Sequence, residues 1–124
     1  MSRGKVRMVD QERLVNSFCE LVRIDSPSNE EEEVSKHLEE RLRRLGFQVE
    51  RDAYGNVIGS EPGDGPLLLS AHMDTVEPGR GIKPQVRGDR IESDGTTILG
   101  GDCKAGVAAI LEGLEATAEE GKAR

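Results

Sequence analysis

The sequence predicts an α/β layered domain, and three observations carry that expectation. Two amphipathic helix patterns open the chain, several short apolar segments of strand character follow, and a glycine-rich turn then feeds a last helix. The length of 124 residues matches one domain of the usual ~100 to 150 residues, so a multi-domain enzyme does not fit in it.

From residue 10 to residue 24, Leu14, Phe18, Leu21 and Val22 form one apolar stripe, and Pro27 ends the element. Ser28 with Glu31 three residues on predicts a capping box for a second helix, where the run of glutamates at 30–33 suits the positive end of the helix dipole. That helix turns Val34, Leu38, Leu42 and Leu45 inward and stops at Gly46, which suits a left-handed cap. Its basic cluster, Arg41, Arg43 and Arg44, reads as a solvated face among glutamates, and His37 as a residue of the helix's outer part.

After Gly46 the period changes. Phe47 and Val49 alternate with polar residues, and Val57 and Ile58 follow a Tyr-Gly-Asn turn, which predicts two short paired strands. Residues 62–66, Pro-Gly-Asp-Gly-Pro, must form a loop. Residues 67–71 are apolar on both faces, as a strand in the middle of a covered sheet is expected to be. Residues 86–93, around Gly88 and Asp89, read as a hairpin, and 96–99 as a further strand. The last helix starts near Lys104 with Val107, Ile110, Leu111, Leu114 and Ala118 on one face, and a polar tail at 119–124 follows.

Composition narrows the function. The only aromatic residues are Phe18, Phe47 and Tyr54, so the core is aliphatic. A net charge of −7, from 17 Lys and Arg against 24 Asp and Glu, argues against nucleic acid as a partner, because a phosphate-backbone binder needs a concentrated positive surface. No stretch nears the ~18 apolar residues of a membrane helix, and the N-terminal basic residues have no apolar run behind them to make a signal peptide. Two cysteines, Cys19 and Cys103, make no disulfide framework, so a reduced, cytoplasmic protein without a membrane partner is expected.

Functional groups of open α/β sheets gather beyond the carboxyl ends of strands. Two such ends stand out: Ser-Ala-His72-Met-Asp74-Thr at 70–75, and Leu-Gly-Gly-Asp102-Cys103-Lys at 99–104. Histidine is a common metal ligand whose second ring nitrogen usually donates to a carboxylate, and Asp74 is placed to accept. Asp102, after two glycines and before a helix, fits either a metal ligand or a helix cap. Phosphate binding at this turn lacks its spacings, with no Gly-x-Gly-x-x-Gly and no Gly-Lys-Ser/Thr. Cys103 beside Lys104 has the neighbours of a lowered-pKa nucleophile, with His72 as its base. Cys19, beside Phe18, reads as a small core residue.

The segments 67–76, Leu-Leu-Leu-Ser-Ala-His-Met-Asp-Thr-Val, and 94–111, Asp-Gly-Thr-Thr-Ile-Leu-Gly-Gly-Asp-Cys-Lys-Ala-Gly-Val-Ala-Ala-Ile-Leu, resemble the co-catalytic dizinc peptidase family. That family includes peptidase T, glutamate carboxypeptidases and amino-acid deacylases. The wording of both motifs is closest to the peptidase-T-like branch, and the likeness begins at the Leu-Val-Arg-Ile-Asp-Ser-Pro-Ser stretch of 21–28. The resemblance implies that residues 1–124 are the N-terminal portion of a three-layer α/β/α catalytic domain with a mixed, mostly parallel sheet. It implies His72 as terminal ligand of one zinc, Asp74 as the catalytic carboxylate that orients it, and Asp102 as the ligand bridging two zincs. The implied activity is hydrolysis of small peptides, of aminopeptidase or tripeptidase type, with deacylation as the variant. It leaves room for a homo-oligomer.

The sequence departs from the family at Cys103, where a second Asp is usual, which sets a soft ligand beside the metals. The family's general-base glutamate, its neighbouring glutamate, a further acidic ligand and a final His lie beyond the bridging Asp. Here Glu112, Glu115, Glu119 and Glu120 are the only acidic residues after Asp102, none matches those motifs, and no His follows. The expectation is half a metal site: weak zinc binding and no measurable peptidase activity from the 124 residues alone. A non-catalytic binding or assembly module on the same scaffold is the alternative expectation.

Overall fold

Asp10 caps the first helix: its side chain accepts from Arg13 N at 3.0 Å at the start of α1, Gln11–Arg23. A computed structural model describes residues 9–63, 65 and 67–120. The N-terminal basic residues, Asp64 and Pro66 of the loop, and the tail at 121–124 lie outside the described residues. Elements follow in the order α1, α2 (Glu32–Arg44), β1 (Gln48–Arg51), β2 (Val57–Ser60), β3 (Gln85–Arg87), β4 (Arg90–Glu92) and α3 (Gly101–Glu119). The α/β class holds.

The core joins the apolar faces of the three helices to the loop residue Ile82. Phe18, Leu21 and Val22 of α1, Val34 and Leu38 of α2, and Val107, Ala108 and Leu111 of α3 form one buried cluster with it. All of these side chains but Phe18 are aliphatic, as the composition demands. Cys19 is buried on α1. On α3, Ile110 and Leu114 are half-buried and Ala118 exposed, so the inward face is rotated toward Ala108, Glu112 and Ala116. Asp102 and Cys103 have non-helical backbone angles and are joined by a cis peptide bond, so the regular helix begins at Lys104 as expected.

Helix α2 ends at Gly46 in the left-handed region, with φ of 93°, as expected. Its start differs. Glu31 is the N-cap without a side-chain cap bond, and it accepts from Asn29 N instead. Ser28 Oγ donates to Asp74 at 2.5 Å, so the predicted capping box is replaced by a long-range contact. Arg41 also departs from expectation. It is buried, with Nη2 donating to Ser17 Oγ at 3.1 Å and with Glu20 and Glu115 nearby, because it fills the cleft where the three helices meet. His37 is half-buried rather than outer, and desolvation lowers its pKa.

Both predicted hairpins form. β1 pairs with β2 and β3 with β4, each antiparallel. In the first, Asp52 Oδ1 accepts from Tyr54 N and Asn56 N and fixes the turn. In the second, Gly88 has φ of 62°, the conformation a two-residue hairpin loop favours. The β1–β2 hairpin lies on α2, where a Cβ on Gly59 would come within 3.0 Å of Leu42.

Neither 67–71 nor 96–99 is a strand in the structure. Leu67, Leu68 and Leu69 are 75%, 84% and 48% exposed. Apolar character lets a segment enter a sheet, but a strand exists only through its ladder, and no described strand runs beside these residues. The parallel pairing is one isolated bridge, Pro27 to Thr75.

Helices α1 and α3 are tied by an ion-pair network as well as by the core. Arg13 donates to both oxygens of the buried Glu112 at 2.7 and 2.8 Å, Asp10 N donates to Glu112 Oε2 at 2.8 Å, and Arg13 also binds Glu119. Arg13 holds the Glu112 carboxyl below the ordinary carboxylate range. A depressed carboxyl pKa contributes stability above the unfolded value, about 4.3 for Glu, and loses it as pH falls through the folded value. Glu112→Gln is expected to cost ~1.5 to 3 kcal/mol at neutral pH, the range for bonds to charged groups. In urea unfolding, the gap between the two proteins should close as the pH is lowered below about 4.

Candidate metal centre

Residues 24–28, which follow α1, hold both chemical motifs in place. Ser26 is fully buried; its Oγ donates to Met73 O at 3.0 Å, and its carbonyl accepts from Thr75 N at 2.8 Å. The segment 73–75 is thereby clamped to the end of α1. Lys104, also fully buried, donates from Nζ to Ile24 O at 2.9 Å and draws the start of α3 to the same place. Burial lowers the Lys104 pKa to about 8, opposed by the Asp25 charge. Gly100 completes the approach: with φ of 87°, its α-carbon faces Thr75, Ile82 and Val22, each 3.4 to 3.5 Å from a Cβ built there. A side chain would meet only ordinary contacts there, so it is the left-handed backbone that calls for glycine.

These anchors bring His72, Asp74 and Asp102 together. His72 Nδ1 lies 3.1 Å from Asp74 Oδ1, and Nε2 lies 3.0 Å from Asp102 Oδ1. Asp74 is itself held, since its other oxygen accepts from Ser28 Oγ. His72, Asp74 and Asp102 are the residues the motifs point to; the supporting roles of Ser26 and Ser28 are not legible there, since Ser28 reads as a helix cap and Ser26 is marked only by its place in the Ile-Asp-Ser-Pro-Ser stretch at 24–28. Both His72 and Asp102 are open to solvent, at 51% and 96% side-chain exposure, so a ligand can reach them.

The electrostatics follow from this geometry. The hydrogen bond to Asp102 raises the His72 pKa most; desolvation opposes it, and the bond to Asp74 adds to the rise. Asp74 is lowered, chiefly by the Ser28 hydroxyl and also by His72. The protonated imidazole therefore sits between two carboxylates. With Nδ1–H committed to Asp74, neutral His72 presents the Nε2 lone pair toward Asp102. Nitrogen and carboxylate donors aimed at one point fit a divalent cation with bonds of ~2.0 to 2.2 Å to each. The ligand atoms of His72, Asp102 and Cys103 all lie within 4.8 Å of one another. Both ring nitrogens of His72 face carboxylates.

No family model matches the chain. It is similar to the aminopeptidase PepT of Bacillus cereus ATCC 10987, with a TM-score of 0.84 and 41% identity over 93% of this chain and 34% of that one. A tripeptidase from Staphylococcus aureus gives a TM-score of 0.83 and 37% identity over 93% of this chain and 34% of its own. YqjE, an uncharacterized protein of Bacillus subtilis, is 39% identical over 91% of this chain and 33% of its own length. The chain therefore spans about a third of the length of the relatives it matches.

A raised histidine pKa means that the ion pairs contribute stability below the unfolded value of about 6.5 and lose it as pH rises through the folded one. Histidine ring signals followed by NMR should show His72 titrating above that ordinary value in the metal-free chain. Asp102→Asn and Asp74→Asn are each expected to lower it; a pKa unmoved by both would contradict the geometry.

Proposed function

The chain is a relative of the peptidase-T-like peptidases, matched over their N-terminal part, and on that premise we propose that it contributes the first half of a zinc-dependent peptidase site. The proposed reaction is hydrolysis of peptide bonds in small peptides, of aminopeptidase or tripeptidase type. Residues 1–124 are read as the N-terminal portion of the catalytic domain. The observation that carries this reading is the pairing of His72 Nε2 with Asp102 Oδ1 at 3.0 Å while Asp74 occupies Nδ1.

In this reading His72 and Asp102 hold zinc, and Asp74 positions His72. Bound zinc supplies Lewis acidity, which makes water nucleophilic near neutral pH and polarises a scissile carbonyl. The residues of this chain do the rest by position. Asp74 fixes the imidazole tautomer and raises its basicity, Ser28 fixes Asp74, and Ser26 and Lys104 hold the two ligand-bearing segments at the separation one ion needs. Two protein ligands fall short of the three or four that zinc sites use, so the 124 residues alone bind zinc weakly and release nothing from tripeptides. The proposed substrate is a small peptide. The proposed setting is the cytoplasm, which agrees with the free state of Cys19 and Cys103. Among the described residues no helix is long and apolar enough to cross a membrane.

Zinc titration of the purified chain, read by calorimetry or equilibrium dialysis, tests the assignment. His72→Ala is expected to weaken binding by at least about tenfold and Asp74→Asn by about 10- to 100-fold, the range seen for partners of metal-bound histidines. Tight binding of two equivalents that survives His72→Ala would sink the reading. Incubation with tripeptides and with N-acyl amino acids provides the catalytic readout. Release of an amino acid from tripeptides by these 124 residues would show that the site is complete without further ligands, and turnover of N-acyl amino acids alone would move the chain to the deacylases.

A further inference from the structure

Cys103 stands at the same turn as Asp102, and its thiol is free and half-buried. Its Sγ lies within 4.8 Å of both His72 and Asp102 ligand atoms, which puts nitrogen, oxygen and sulfur around one point. A second observation fixes where the thiol sits. A Cβ built on Gly106 would fall 2.6 Å from Cys103 Sγ and 3.7 Å from Ala71 Cβ. The sulfur thus rests over the first turn of α3, on the side facing the segment that carries His72, and the absence of a side chain at Gly106 gives it room.

We propose that Cys103 Sγ is a third protein ligand of the centre, making a mixed His72, Asp102 and Cys103 site that selects thiophilic divalent cations. The proposal rests on the metal reading above and goes beyond it. Soft thiolate favours zinc, cadmium and cobalt over the oxygen-seeking magnesium and calcium. A carboxylate and a thiolate together also balance the charge of a divalent ion, which a lone His–Asp pair does not. Binding deprotonates the thiol, so one proton leaves as the sulfur–metal bond forms. Cys19 takes no part, since it is buried on α1.

Cobalt(II) added to the 124-residue chain reports the sulfur directly, through the near-ultraviolet charge-transfer absorption of a cobalt thiolate. The expected result is a band in the wild-type chain that disappears in Cys103→Ser and Cys103→Ala and persists in Cys19→Ala. Cadmium binding should weaken at least about tenfold in Cys103→Ser, no less than the loss caused by disturbing a ligand's supporting partner. Cobalt that binds the wild-type chain without the band, or a band that Cys103→Ser retains, overturns the proposal and leaves the His72–Asp102 pair standing. Cobalt binding indifferent to His72→Ala overturns the metal reading and the proposal together. The wild-type spectrum decides even if a variant fails to fold.

Discussion

The arrangement depends on the few residues that leave α1. Ser26 donates its hydroxyl to Met73 O and accepts from Thr75 N, and Ile24 accepts the ammonium of Lys104. One segment therefore grips both chemical motifs, though they lie about thirty residues apart in the chain. The grip is made of buried polar groups, and that raises its cost of failure. A buried hydroxyl or ammonium left without a partner loses its hydration and recovers nothing. The positions of His72 and Asp102 are thus fixed from beneath, by backbone atoms and buried donors, while the two side chains themselves stay open to solvent.

This division explains the electrostatics of the centre. Exposed carboxylates around an exposed imidazole would screen one another in water and mean little at a distance. Here the clamps fix the backbone on either side so that Asp74 and Asp102 address different nitrogens of one ring. The result is a histidine that holds a proton more firmly than usual. Ser28 extends the arrangement outward, at the expense of the helix cap it was expected to make.

How much of this was legible depends on whether a pattern was local. The stop at Gly46 and both hairpins follow from turn and cap chemistry that spans a few residues, and they appear where the sequence puts them. Where a side chain had a choice of partners, the distant one prevailed. Ser28 chose Asp74, and Arg41 turned into the cleft beside Ser17 rather than to water. At 67–71 the apolar run announces a strand, yet Leu67 and Leu68 stand in solvent because a ladder needs a neighbour that local sequence cannot supply.

By itself, then, the sequence determined the α/β class, the aliphatic core, the stop of α2 at Gly46, both hairpins and the identity of His72, Asp74 and Asp102 as the residues to watch. Only the tertiary structure decided that they meet, which ring nitrogen faces which carboxylate, and that Ser26, Ser28 and Lys104 hold them there. The reason is physical. Periodicity and capping are written in neighbours three or four residues apart, whereas the centre is assembled by hydrogen bonds across gaps of 30, 47 and 80 residues, which no local pattern encodes.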